Sequence, residues 1–107
     1  MSTSKEPQRP RPLTANALRN LIEIAISRGY FEESEHAEFE HLERNISTED
    51  VLFALKRPDW IVKKQAWSEE YKNWKYLIVS EDIEGDELEV ILAAYPNLNK
   101  VRIVTRW

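Results

Sequence analysis

Cysteine is absent from the 107 residues. That excludes disulfide frameworks, cysteine-ligated zinc and thiol nucleophiles. It also fits a reducing compartment, so a cytoplasmic location is expected. Positive charge is in deficit: 15 Lys and Arg against 19 Asp and Glu leave a net charge of -4. No global field draws a nucleic acid to such a chain, and any such binding needs a local basic patch. No apolar run approaches the ~18 residues that cross a bilayer. The opening stretch MSTSKEPQRPRP has neither an apolar segment nor a small-residue cleavage site, so no targeting signal is read and no membrane association is expected. Internal repeats are missing too. Histidine is scarce, with only His36 and His41. They stand five apart, whereas a helical metal pair needs i, i+4 spacing. No metal site and no cofactor are expected.

What is present is ordinary for a small globular protein: 42% hydrophobic and 32% charged residues. One domain is the default at this length. Pro7, Pro10 and Pro12 among polar neighbours mark residues 1–12 as a disordered lead-in, leaving 13–107 as a single α+β domain. The spacing predicts a first helix over 13–28, capped by Thr14 and ended by Gly29, with Leu18, Leu21, Ile22, Ala25 and Ile26 on one face. Tyr30 and Phe31 read as a short extended segment. Ser34 opens a second helix, about 35–44, which Asn45 stops, and Ile46 packs in the joint. Ser47 with Asp50 three residues on resembles a capping box for a third helix, bearing Val51, Leu52, Ala54 and Leu55 and stopped by Pro58.

From Trp60 the hydrophobic period changes from 3.6 to 2. Four strands follow, at 60–67, 74–81, 87–94 and 100–107, separated by short turn-forming gaps. Gaps this short suit hairpins, since parallel crossovers need a dozen or more residues. The expected fold is therefore three N-terminal helices on a four-stranded antiparallel β-meander. In the last hairpin a four-residue loop, Tyr95 to Leu98, sets Leu92 opposite Val101, Val90 opposite Ile103 and Glu87 opposite Arg106. In that register Arg106 is a cross-strand partner of Glu87.

Two stretches could carry chemistry. Between residues 34 and 51, SEHAEFEHLERNISTEDV, His36, Glu40 and Arg44 stack along one helix face at spacing four. Between 56 and 75, Lys56, Arg57, Lys63, Lys64, Lys72 and Lys75 interleave with Trp60, Trp67, Tyr71 and Trp74. Interleaved bases and aromatics can hold single-stranded nucleic acid by stacking plus charge. The plainer reading puts the aromatics in the core and the lysines on a solvated strand edge.

The chain from Thr14 to Trp107 resembles the bacterial domain-of-unknown-function 4258 family. The matching residues are Ser34, His36, Ala37, Arg44, Ile46, Ser47, Asp50 and Val51, then Asp82 and Gly85 in a turn, and the ending Ile103-Val104-Thr105-Arg106-Trp107. The resemblance implies a fold related to RelE/MqsR-type toxins, which cleave RNA, and a partner antitoxin of the zinc-finger or helix-turn-helix type. It marks His36 and Arg44 as catalytic candidates in a metal-independent endoribonuclease, with Lys75 and Arg106 on the sheet as RNA contacts. The sequence departs from the family pattern at Glu40, where an arginine is usual, and at His41, where a methionine is usual. Glu40 and Arg44 have the favourable order for an i, i+4 ion pair. Glu32, Glu33, Glu35, Glu38 and Glu43 add negative charge that repels a polyanion. A second reading therefore keeps the scaffold without catalysis, as a protein-interaction module.

Overall fold

The computed structural model describes residues 10–34 and 47–106, with the backbone alone for residues 105 and 106. Helix α1 spans Ala15–Arg28. Thr14 begins it in an extended conformation, and its hydroxyl accepts the Ala17 amide at 3.2 Å. That satisfies one of the orphan donors of the first turn. Gly29 ends it at φ 79°, with its amide turned back to the Ala25 and Ile26 carbonyls. A left-handed residue is required there, and glycine adopts that conformation without a Cβ penalty. The buried face is Leu18, Leu21, Ile22 and Ala25, spaced to lie in one stripe.

Helix α2, Thr48–Lys56, has a complete capping box: Ser47 Oγ accepts the Asp50 amide, and the Asp50 carboxylate accepts the Ser47 amide, both at 3.1 Å. It ends at Arg57, which is extended at ψ 143°. Pro58 disfavours the helical region for the residue before it.

The strands are β1 (Phe31–Glu33), β2 (Ile61–Ser68), β3 (Asn73–Glu81), β4 (Glu87–Tyr95) and β5 (Lys100–Arg106). They form one sheet in the order β1-β5-β4-β3-β2. The pairs β2–β3, β3–β4 and β4–β5 are antiparallel, and β1 lies parallel to β5. The expected three helices on a four-stranded antiparallel meander are thereby corrected. The described residues contain two α-helices and a five-stranded mixed sheet. The helix expected over 35–44, and the packing of Ile46, lie outside the described residues. The fifth strand forms because the chain leaving Gly29 meets β5 far along the sequence. The Val101 amide donates to the Tyr30 carbonyl and the Ser34 amide to the Ile103 carbonyl, so both ends of β1 are tied to β5.

The final register also differs from the expected one. The Pro96–Leu98 turn is 3-10 helical and closes at Asn99 with φ 53°. Tyr95 therefore still pairs with Lys100, and Leu92 meets Ile103. From Tyr95 to Leu92 the core face keeps its parity, and each partner moves by two residues. A bulge then intervenes: Ile91 pairs with Thr105 and Val90 with Arg106, leaving Val104 as the extra residue. Glu87 pairs with Glu81 on β3 and not with Arg106.

One sheet face carries the core. Tyr76, Ile78, Leu88, Val90, Leu92, Val101 and Ile103 are buried there beneath Leu18, Ile22, Val51 and Leu55 from the helices. Each such large side chain contributes roughly 1.5–3 kcal/mol on burial. Trp60 belongs to this core. It is 3% exposed, its indole donates to the Leu55 carbonyl at 3.0 Å, and the Arg19 guanidinium lies 4.1 Å above its ring. No helix of the described residues is long and apolar enough to cross a membrane.

Candidate functional site

Successive strand residues point to opposite faces, so the residues that alternate with the core line the far side of the sheet. On that side the registers set Glu32, Arg102, Ala93, Lys75 and Ala66 in one row across all five strands. Arg102 and Lys75 stand two strands apart, which places their Cα atoms about 9–10 Å from each other. Ala93 between them is 2% exposed and too short to fill the gap. A cavity of about 220 Å³ opens there, lined by Ser34, Tyr71, Asn73, Lys75, Tyr95 and Arg102.

The charges at this cavity are unevenly matched. Among the described residues, Lys100 reaches Glu32 at 3.4 Å and Lys63 reaches Glu89 at 3.5 Å, which neutralises both carboxylates. Neither Arg102 nor Lys75 has an ion-pair partner among the described residues. The Lys75 ammonium lies 5.5 Å from the centre of the Tyr71 ring, and that of Lys100 lies 4.8 Å from the Tyr95 ring. Cation–aromatic contact leaves the ammonium hydrogen-bond donors available to an anion.

Asn73 is the other unusual member. It is 5% exposed, and its side-chain Nδ2 and Oδ1 both lack a hydrogen-bond partner among the described residues. Buried amides are nearly always satisfied, and an orphan of this kind needs an explanation. Asn73 also borders a second, larger cavity of about 540 Å³, whose walls include Trp67, Trp74, Tyr95, Pro96 and Leu98. The two indoles meet edge to face at 5.7 Å. Trp74 donates to the Pro10 carbonyl at 2.7 Å and Trp67 to the Glu69 carboxylate at 2.8 Å, so the rings are held in place.

The candidates read from the sequence are divided by this geometry. Lys75 lines the smaller cavity. His36, Glu40 and Arg44 lie outside the described residues. Ser34, two residues before His36, is a wall of the cavity, and its hydroxyl donates to the carbonyl of the bulge residue Val104 at 3.0 Å. Arg106 is known by its backbone, opposite Val90. The interleaved basic and aromatic stretch splits in two. Trp60, Arg57 and Lys63 are engaged in the core or in ion pairs, while Trp67, Tyr71, Trp74 and Lys75 sit at the cavities. Arg102 and Asn73 are additions to the site. The alternation of Lys100 and Arg102 on the polar face of β5 was the available signal for the first. Asn73 reads as a turn residue, and nothing in the sequence marks its amide as unpartnered. Among the described residues, no group of His, Asp and Glu side chains is placed to hold a metal.

The arrangement can hold an anion between two cations on a sheet, beside aromatic walls and a buried amide. The family comparison accords with a domain built around this sheet. Residues 34–105, more than half of the chain, match the family described as Domain of unknown function (DUF4258). The chain belongs to that family. No curated protein matches the chain, and no solved structure does.

Proposed function

We propose that this protein binds single-stranded RNA on the sheet face that carries Arg102 and Lys75, as the ribonuclease component of a toxin–antitoxin pair of the RelE/MqsR kind. One observation carries the reading: two cations without carboxylate partners among the described residues flank a short alanine in one row, at a spacing that accepts a phosphate between them. Phosphate neutralisation supplies most of the affinity in such complexes. Tyr71 and Tyr95 at the rim offer ring faces on which unpaired bases stack.

For cleavage, His36 and Arg44 are the reacting groups implied by the family resemblance. The 2′-hydroxyl attacks the adjacent phosphorus as a base takes its proton. The P–O5′ bond breaks and an acid protonates the leaving oxygen, so a 2′,3′-cyclic phosphate and a 5′-hydroxyl result. Cations aimed at the phosphorane stabilise its added charge. An antitoxin partner would cover this face and compete with RNA.

The test is binding of a fluorescent single-stranded RNA across a salt series. Each single-strand phosphate contact adds about 0.7 to the salt slope. The double substitution Lys75→Ala, Arg102→Ala removes one such contact and is expected to lower the slope by roughly 0.7. An unchanged slope refutes the phosphate role. Cleavage that His36→Ala abolishes supports the ribonuclease; tight binding with no cleavage in either protein favours the non-catalytic module, which the glutamate at position 40 suggests.

A further inference from the structure

We propose that the cleft walled by Trp67, Trp74 and Leu98 is a proline-recognition groove, and that its occupant is this chain's own residues 7–10 in a polyproline II conformation. Trp74 and Tyr76 belong to the sheet face that carries the core. The cleft therefore lies away from Lys75 and Arg102, and the inference is independent of the RNA reading. The chain entering α1 already runs along it. The Leu13 amide donates to the Tyr76 hydroxyl at 2.8 Å, and the Trp74 indole donates to the Pro10 carbonyl at 2.7 Å. Tyr76 and Trp74 are two residues apart on β3, which is roughly 7 Å on one face. From Leu13 back to Pro10 the segment thus follows β3 toward its start. The cleft, about 540 Å³ in volume, extends beyond Pro10 to Trp67, Pro96 and Leu98. Leu98 at its rim is 60% exposed.

The sequence continues this track. Residues 1–9 lie outside the described residues and join the cleft at Pro10. A polyproline II helix repeats every three residues, and Pro7, Pro10 and Leu13 are spaced by three. Pro10 and Leu13 both line the cleft. The same edge of such a helix carries Pro7, about 9 Å further on. Proline fixes its own φ, and the residue before a proline is pushed to extended backbone. Glu6, Pro7, Arg9, Pro10, Arg11 and Pro12 all fall under one of these two constraints, so docking orders little that is free. The carbonyls of this helix have no internal partners, which suits the donor-only indole of Trp74. Aromatic grooves recognise PxxP segments in this way, and residues 7–10 read Pro-Gln-Arg-Pro. Being joined to the groove at Pro10, they meet it at an effective concentration of about millimolar. That advantage favours them over a free proline-rich peptide.

The test follows the indole N–H signals of the ¹⁵N-labelled whole chain. Pro7→Ala is expected to shift the Trp67 signal. Gln8→Ala, which changes a residue off the cleft edge, is expected to leave it in place. Trp60 is the reference, seven residues before Trp67 and roughly 20 Å back along the strand direction. No shift at Trp67 from Pro7→Ala, or an equal shift from Gln8→Ala, would overturn the proposal. Because the chain has no cysteine, Ser4→Cys offers a single attachment point for a nitroxide spin label. Within one molecule the label is expected to broaden the Trp67 signal and to spare that of Trp60; equal broadening of the two would mean that the segment is not held in the cleft. Spin-labelled protein without ¹⁵N, mixed with ¹⁵N protein without the label, is expected to cause no broadening. Loss of the Trp67 signal in that mixture would assign the groove to the segment of a second copy and overturn the intramolecular occupant.

Discussion

Asn73→Leu is expected to make the protein more stable. A buried polar group with no partner costs about 1–3 kcal/mol in lost hydration. Asn73 is 5% exposed, with Nδ2 and Oδ1 both in that condition. Leucine has a similar size and no polar atom, and the neighbouring cavities give its methyl groups room. Asparagine is also disfavoured in strands, and Asn73 begins β3 opposite Ser68. The expected gain is ~1–2 kcal/mol, or roughly 4–8 °C in Tm for each kcal/mol in a domain near 100 residues. Urea unfolding with an unchanged m-value measures it as a shift in midpoint. Asn73→Asp supplies the control, since a buried carboxylate in the same place destabilises. A loss of more than about 1 kcal/mol in the leucine variant refutes the reasoning, because loss on that scale means the amide is hydrogen-bonded in the folded protein.

Ser47→Ala removes the hydroxyl half of the α2 capping box and is expected to lower stability by about 0.5–2 kcal/mol, read by the same urea titration. Tyr76 links stability to alkaline pH. Burial raises its phenol above the ordinary value, against a smaller opposing pull from the Leu13 amide that donates to its oxygen. Below about pH 10 the phenol is neutral in both states and the contribution is complete. Above that the unfolded chain ionises first, so stability falls as pH rises through the folded pKa. Tyr76→Phe is expected to lose about 0.5–1.5 kcal/mol at neutral pH with the Leu13 bond, and to show a shallower alkaline decline in thermal melts; an identical decline would refute the assignment to Tyr76.

The parts of the fold legible in the sequence are those whose signals are local. Thr14, Gly29, Ser47 and Asp50 each satisfy or bend the backbone within four residues of themselves, and the helix ends fall where they direct. The Asp82–Gly85 turn is of the same kind. The Asp82 carboxylate accepts the Glu84 and Asp86 amides at 2.9 Å, and Gly85 takes φ 89°. The fifth strand was not legible. Its three residues are too short to show alternation, and the groups that tie it down are on β5, about seventy positions away. The last register failed on a two-residue shift. Loop length was right at four, but Pro96 begins a turn that lets Tyr95 remain in the ladder. Up to the bulge parity survived because a shift of two leaves each side chain on its own face; past it the extra residue Val104 reverses the parity.

The site depends on both of those non-local features. β1 brings Ser34 to the sheet, and Ser34 donates to the carbonyl of Val104 where β5 bulges. Bulges redirect a strand and are frequent beside functional residues. Up to Leu92–Ile103 the ladder is regular, and within that stretch Arg102 meets Ala93 and Ala93 meets Lys75. Past the bulge the register changes, so Arg106 is opposite Val90 rather than in the row of cations. The expected RNA contacts, Lys75 and Arg106, came from the family resemblance, while the expected ladder set Arg106 opposite Glu87. In the observed ladder, Arg102 is the arginine that shares a row with Lys75. The same Ser34 begins the family match and stands two residues before His36. The chain thus enters the segment of its catalytic candidates from the wall of the smaller cavity. That continuity joins the cleavage proposal to the binding proposal, and Ser34→Ala, which deletes the contact to Val104, perturbs the two together.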